Sequence, residues 1–303
     1  MSSENDRPLY TRRRVIGLSA AALGATAAAR VIPAFGAQGS TIDSYNWSGA
    51  RVVSDVLPLL FPQNINPPKP EFFTRVKATW KVPKVRLHGS KKDLRSATWV
   101  GLDGGTWGLE DSKPNVLLAG IYHKIGSNGA EYTPFFGLET GVSTPSSGDV
   151  YLTSSFQRTS HLKVNAGDTI TVELIYTPGS GGPNTAKATF TRVGDSETLT
   201  IPNPANIPPI PPIDDKIITG YTVEWIFERI SSNNDSSKPY KGSYYELGNH
   251  DAVVFKDAEA GTNLNNWVSP DDGDSINMRD VDDWPTLLTA GVALSGEVQV
   301  NRR

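Results

Sequence analysis

From Tyr45 onward the apolar positions fall in short alternating runs, interrupted every eight to twelve residues or so by Gly, Pro, Asn and Ser, the pattern of strands joined by turns. The stretch Thr169-Ile-Thr-Val-Glu-Leu-Ile-Tyr176 shows it best: period two, with the β-branched residues that a half-buried sheet face favours. Strands are predicted over residues 46–53, 73–82, 96–103, 116–125, 132–139, 169–176, 185–193, 221–230, 252–255 and 292–300. No long stripe of helical period interrupts them. So many short strands predict an all-β fold, a sandwich of two antiparallel sheets. Three stretches read as connections between strands: 57–71 with five prolines, the Gly-rich 178–184, and 202–215 with Pro-Pro-Ile-Pro-Pro.

The N-terminal segment follows another rule. Thr11-Arg12-Arg13-Arg14-Val15 is followed by an Ala, Gly, Leu and Ser run without acidic residues, and the small residues Ala34 and Gly36 suit a signal peptidase. The apolar run is shorter than the roughly 18 residues a membrane-spanning helix needs. Residues 1–37 are therefore expected to be a Tat-type signal peptide, 38–303 a single domain, and the mature protein periplasmic or extracellular.

Leaving out residues 1–37 removes five Arg and two acidic residues, which moves the net charge from −3 to about −6. That sign argues against nucleic acid and an anionic membrane as partners, because both require clustered Lys and Arg. A monomer is expected. The chain has no Cys, so thiolate metal sites and thiol nucleophiles are excluded, and its four His show no metal-ligand spacing. No metal and no cofactor are expected. Asp271-Asp272-Gly273-Asp274 lacks the alternating ligands and terminal Glu of a calcium loop and reads as a solvated acidic turn.

Four Trp-centred clusters carry the chemistry: Asn46-Trp47-Ser48-Gly49-Ala50, Ala78-Thr79-Trp80-Lys81-Val82-Pro83, Thr98-Trp99-Val100-Gly101-Leu102-Asp103-Gly104 and Val223-Glu224-Trp225-Ile226-Phe227-Glu228. In this order they resemble the glutamic peptidase (eqolisin) family. The resemblance implies a concanavalin A-like sandwich and acid endopeptidase activity, in which a Glu and a Gln on neighbouring strands activate water and stabilise the tetrahedral oxyanion. It implies Glu224 as the catalytic carboxyl, with Trp99 and Asp103 lining the substrate groove, a peptide or protein as substrate, and no cofactor. A carboxyl beside Trp225 on a rigid strand would have its charged form disfavoured, which suits acid/base work. On the residues alone, Asp103-Gly104 is equally a turn, and Trp99 equally a core tryptophan.

The sequence departs from the family at two places. Leu118, in Leu117-Leu118-Ala119-Gly120, stands where the family has its Gln, and Gly137 stands where it has an acid. Losing one oxyanion donor typically costs about 10²–10³ in turnover. Two readings therefore stay open, an acid peptidase and an inactive homologue that binds peptide or polysaccharide. A laminarinase-like glycosidase would use Glu224 and Glu228, but residues four apart on a strand lie about 13 Å apart, too far for a retaining pair. Neither a Gly-x-Ser-x-Gly elbow nor a phosphate-binding glycine loop is present.

Overall fold

The computed structural model describes residues 41–44, 46–54, 71–87, 94–104, 116–126, 129–143, 150–158, 161–179, 184–201, 218–230, 247–279, 286–292 and 296–302. The expected signal peptide, most of the segment 57–71 and all of 202–215 lie outside these residues. In chain order the strands are β1 (Thr41–Ser44), β2 (Trp47–Val53), β3 (Phe73–Lys81), β4 (Val85–Arg86), β5 (Leu94–Leu102) and β6 (Val116–Gly126). Then follow β7 (Gly129–Ser143), β8 (Val150–Arg158), β9 (Thr169–Thr177), β10 (Thr185–Arg192), β11 (Asp195–Ile201) and β12 (Thr222–Arg229). The chain closes with β13 (Asn249–His250), β14 (Val253–Thr262), β15 (Trp267–Val268), β16 (Asp274–Arg279), β17 (Thr286–Val292) and β18 (Val298–Arg302). Among the described residues there is no α-helix, and the acidic turn contains a single 3-10 turn, Pro270–Asp272.

Two sheets result. The larger runs β18-β17-β16-β2-β12-β5-β6-β7-β8 and the smaller β11-β10-β9-β3-β14. Strand β14 belongs to both: Val253–Phe255 pair with β18, and the rest pairs with β3. It changes sheets between Phe255 and Lys256, next to a register shift between Lys256 and Glu259 where Asp257 takes φ 48°. An extra residue at such a bulge bends a strand and increases its twist, which lets one strand turn a corner of the sandwich. The pairing is antiparallel except where β1 lies parallel to β16.

Alternation explains the core. In β12, Val223, Trp225 and Phe227 point between the sheets, where they join Val76, Ala78 and Trp80 of β3 and Ile170, Val172 and Leu174 of β9 in one buried cluster. Trp225 Nε1 donates to Lys77 O at 3.0 Å, so the buried indole N–H is satisfied by the facing sheet. The intervening residues Glu224, Ile226 and Glu228 therefore share the other face of the larger sheet.

Most predicted strands are present within a residue or two at each end. The run 292–300 is corrected to the end of β17 and the start of β18, because Gly296 at φ 73° belongs to the connection between them. Strands β8, β11 and β16 were not predicted. Asp195 and Asp274 open two of them with a residue that strands disfavour, and neighbouring strands supply the missing order.

The core also holds two histidines. His123 Nδ1 lies 3.0 Å from Ser96 Oγ, and its Nε2 lies 3.3 Å from Thr98 Oγ1. His250 stacks on Phe227 with ring centroids 4.3 Å apart. Burial, assisted by the nearby His250, lowers the His123 pKa from 6.5 to about 3, and burial lowers that of His250 as well.

Candidate active site

The face of the larger sheet that turns away from the smaller one would be solvated in a simple sandwich. Here it carries a second apolar cluster, in which Trp47, Ala97, Trp99, Leu118, Ile226 and Ile276 are all buried. Trp47 and Trp99 meet edge to face, with centroids 5.0 Å apart and planes at 82°. Room for the Trp99 ring comes from Gly101: a Cβ there would stand 2.8 Å from Trp99 Cζ3. The motif glycine is thus explained by close approach of an aromatic ring.

Glu228 sits within this cluster. It pairs in register with Trp47 on β2 and Ala97 on β5. Trp99 Nε1 donates to its Oε2 at 2.8 Å, and Asn46 Nδ2 to its Oε1 at 3.5 Å. Desolvation first, then the charge of Glu139, raise the Glu228 pKa from 4.5 to about 8, against the opposing hydrogen bonds from Trp99, Trp47 and Asn46. Glu228 is nevertheless the one residue of β12 that is not fully buried. It is a carboxyl that stays protonated at neutral pH, held in orientation by an indole, and reachable from outside.

Glu224 lies four residues earlier on the same face and is 0% exposed. It is in register with Arg51 on β2 and Gly101 on β5. Directly opposed charges on adjacent strands are stabilising neighbours, and Arg51 also reaches Asp274 at 3.4 Å. Leu118 of β6 faces Gly101 on one side and Gly137 of β7 on the other, and is 2% exposed. No polar group of its own side chain is offered to Glu228.

The profile of the Peptidase A4 family matches residues 63–302. The chain belongs to the Peptidase A4 family. The crystal structure of scytalido-glutamic peptidase with a transition state analog inhibitor superposes with a TM-score of 0.57 at 17% identity, covering 86% of this chain and 98% of that one. SCP-B, a member of the eqolisin family of peptidases solved with the tripeptide Ala-Ile-His, superposes at TM-score 0.53 and 17% identity with the same coverage. A comparison with curated protein sequences returns no significant match.

In this Peptidase A4 member Glu224 and Leu118, the positions where the family has its Glu and its Gln, lie level on either side of Gly101. Trp99, expected to line the groove, donates to a different carboxyl, that of Glu228. The signal was available: period two places 224, 226 and 228 on one face. What was missing was the neighbour, since only strand pairing puts Trp47 beside one glutamate and Arg51 beside the other.

Asp103, expected to line the groove, is 3% exposed and faces the segment that leads into β12. Its Oδ2 accepts from the Thr219 backbone N–H, and its Oδ1 accepts from Thr219 Oγ1 and Tyr221 N, both at 2.9 Å. Burial raises its pKa, with those hydrogen bonds opposing. Asp103 also takes φ 60°, a conformation that Asp tolerates better than most residues. Asp103→Ala is expected to lower stability by about 2–3 kcal/mol, measured as a shift in urea midpoint, from three lost acceptor contacts and the strained backbone. Asp103→Asn should cost less.

Proposed function

We propose that this protein hydrolyses peptide bonds after export, without metal or cofactor, and that Glu228 is the carboxyl that acts. One observation carries the reading: Glu228 is partly accessible, fixed by Trp99 Nε1, and in surroundings that raise its pKa to about 8. A carboxyl that holds its proton through the mildly acidic range can donate it to a carbonyl oxygen as charge develops there, and a general acid of this kind contributes typically 10²–10⁴-fold. The low-dielectric enclosure formed by Trp47, Trp99 and Leu118 strengthens that interaction. Trp99 orients the acid.

The test is digestion of an acid-unfolded protein across roughly pH 2–8, a span covering carboxyl titration. Wild type is compared with Glu228→Gln and with Glu224→Gln, the residue expected from the motif. Cleavage by wild type and Glu224→Gln but not by Glu228→Gln supports the assignment. The opposite result would return the role to Glu224. Leu118 favours a second reading, a binding face that accepts peptide without cutting it, and the absence of cleavage by wild type at every pH would select it.

A further inference from the structure

Trp47, Trp80, Trp99 and Trp225 are buried, whereas Trp267 is 50% exposed. Its place is set by a row of register partners: Trp267 of β15, Gly261 of β14 and Arg75 of β3. Their neighbours Val268, Ala260 and Val76 belong to the core, so the row lies on the outer face of the smaller sheet, across the sandwich from Glu224 and Glu228. A Cβ on Gly261 would stand 3.4 Å from Cη2 and Cζ3 of Trp267 and 3.5 Å from Cζ2, so the indole lies face down over the glycine. The Arg75 guanidinium, which also pairs with Glu173, lies 4.9 Å from the ring centroid.

The turn that carries this ring is fixed from inside. Glu71, 4% exposed, accepts from Thr262 Oγ1 at 2.6 Å and from Asn266 Nδ2 at 2.7 Å. Asn263 Oδ1 accepts from Phe72 N at 3.0 Å, and Thr262 N donates to Asn266 O at 2.9 Å. Holding a large aromatic ring rigid and half in water adds little burial, but it removes in advance the ordering cost of binding a ligand there. Beside the ring lies a cavity of about 360 Å³, lined also by Asp257, Glu259, Ser269, Asp272 and Glu297. That volume falls within the range of small-ligand sites. Its carboxylates are partly matched by cations, with Lys77 at 3.4 Å from Glu259 and Lys256 at 3.7 Å from Glu297. The cavity therefore presents acceptors and ammonium donors together, next to an aromatic face.

We propose that Trp267 and this cavity form a saccharide-binding site whose ligand class is a neutral, β-linked glucan-type chain. A β-linked glucose ring carries its hydroxyls equatorially and its ring C–H bonds axially. The C–H face packs on the electron-rich indole face. The hydroxyls, each both donor and acceptor, satisfy carboxylates and ammonium groups at once. A purely cationic ligand would meet two carboxylates already paired and Arg75 beside the ring. Because the site and the candidate active site lie on opposite outer faces, the protein can rest on a polysaccharide while the other face stays open. The inference does not depend on hydrolysis.

The experiment titrates cellohexaose into the full chain by calorimetry, with indole fluorescence followed in parallel and pentalysine as a second probe. Wild type is compared with Trp267→Ala, Trp267→Phe and Glu259→Ala. Wild type is expected to bind cellohexaose, and Trp267→Ala to weaken binding by about tenfold or more. Trp267→Phe keeps a ring and should lose less, and Glu259→Ala should lose about threefold or more. The urea midpoint of Trp267→Ala should stay close to wild type, since half the ring is already in water, which separates lost binding from lost folding. Equal affinity of wild type and Trp267→Ala overturns the proposal, and so does a wild type that does not bind cellohexaose. Pentalysine binding that Trp267→Ala abolishes, without any response to cellohexaose, overturns the saccharide class.

Discussion

Folded stability is expected to be highest between about pH 4.5 and 6.5 and to fall on either side, because two buried groups titrate in opposite senses. Glu228 rises from 4.5 in the unfolded chain to about 8 in the fold. Over that interval the native state holds more protons than the unfolded one, so stability falls as pH rises, and the contribution is fully present only below pH 4.5. His123 drops from 6.5 to about 3. Between those values the native state holds fewer protons, so stability falls as pH is lowered. The two slopes oppose each other in the overlap and leave a plateau, with each limb outside it worth on the order of 2 kcal/mol.

His250, lowered by burial, acts in the same sense as His123, and Asp103, raised by burial, in the same sense as Glu228. The groups facing the histidines are Tyr132 beside His123, and Asp251 and Arg302 beside His250. Urea midpoints at pH 3.5, 5.5 and 8 test the shape. His123→Gln should flatten the acid limb and Glu228→Gln the alkaline one. A wild-type midpoint at pH 3.5 as high as at pH 5.5 would sink the account. The same balance argues for a mildly acidic working range, in which Glu228 is protonated and the core histidines are still neutral.

Leu118 is level with Glu224 across Gly101, so Leu118→Gln is expected to raise turnover by about 10²–10³ where Glu224 is the acting carboxyl, the usual worth of one well-placed donor to a developing oxyanion, and to leave it unchanged where Glu228 is. The position is prepared for it: Gly101 and Gly137 flank it without side chains, and Trp99 and Phe135 belong to the same cluster. Gln is close to Leu in volume, so the substitution adds a donor more than it adds bulk. An amide among apolar side chains costs roughly 1–3 kcal/mol in stability, so kcat and the urea midpoint should move in opposite directions. Leu118→Met, which conserves volume and adds no donor, should leave kcat near wild type. An increase equal to that of Gln would show that packing, not hydrogen bonding, was limiting.

Much of the fold was legible in the chain because strand alternation is a local property. The residues of β9 and β12 announce their two faces within eight or nine positions. Strands β8, β11 and β16 were less legible, since polar or acidic residues within them lose their cost only when a neighbour completes the ladder. The site divides in the same way. Trp99 was singled out by its motif, and the absence of an amide at Leu118 could be read directly. Glu228 was present in the motif beside Glu224, but its contact with Trp99 was not legible.

The amino-acid sequence by itself determined the all-β class, the antiparallel sandwich, the family and the missing Gln, all properties carried by short runs of neighbouring residues. Tertiary structure alone decided which glutamate meets a tryptophan and which an arginine, because β2 and β12 are separated by more than 160 residues and their register assigns Trp47 to Glu228 and Arg51 to Glu224. It also turned Asp103 from a groove residue into the fastener of the segment before β12. Registers and curvature are sums over many strands, and burial energy, not local preference, selects among them.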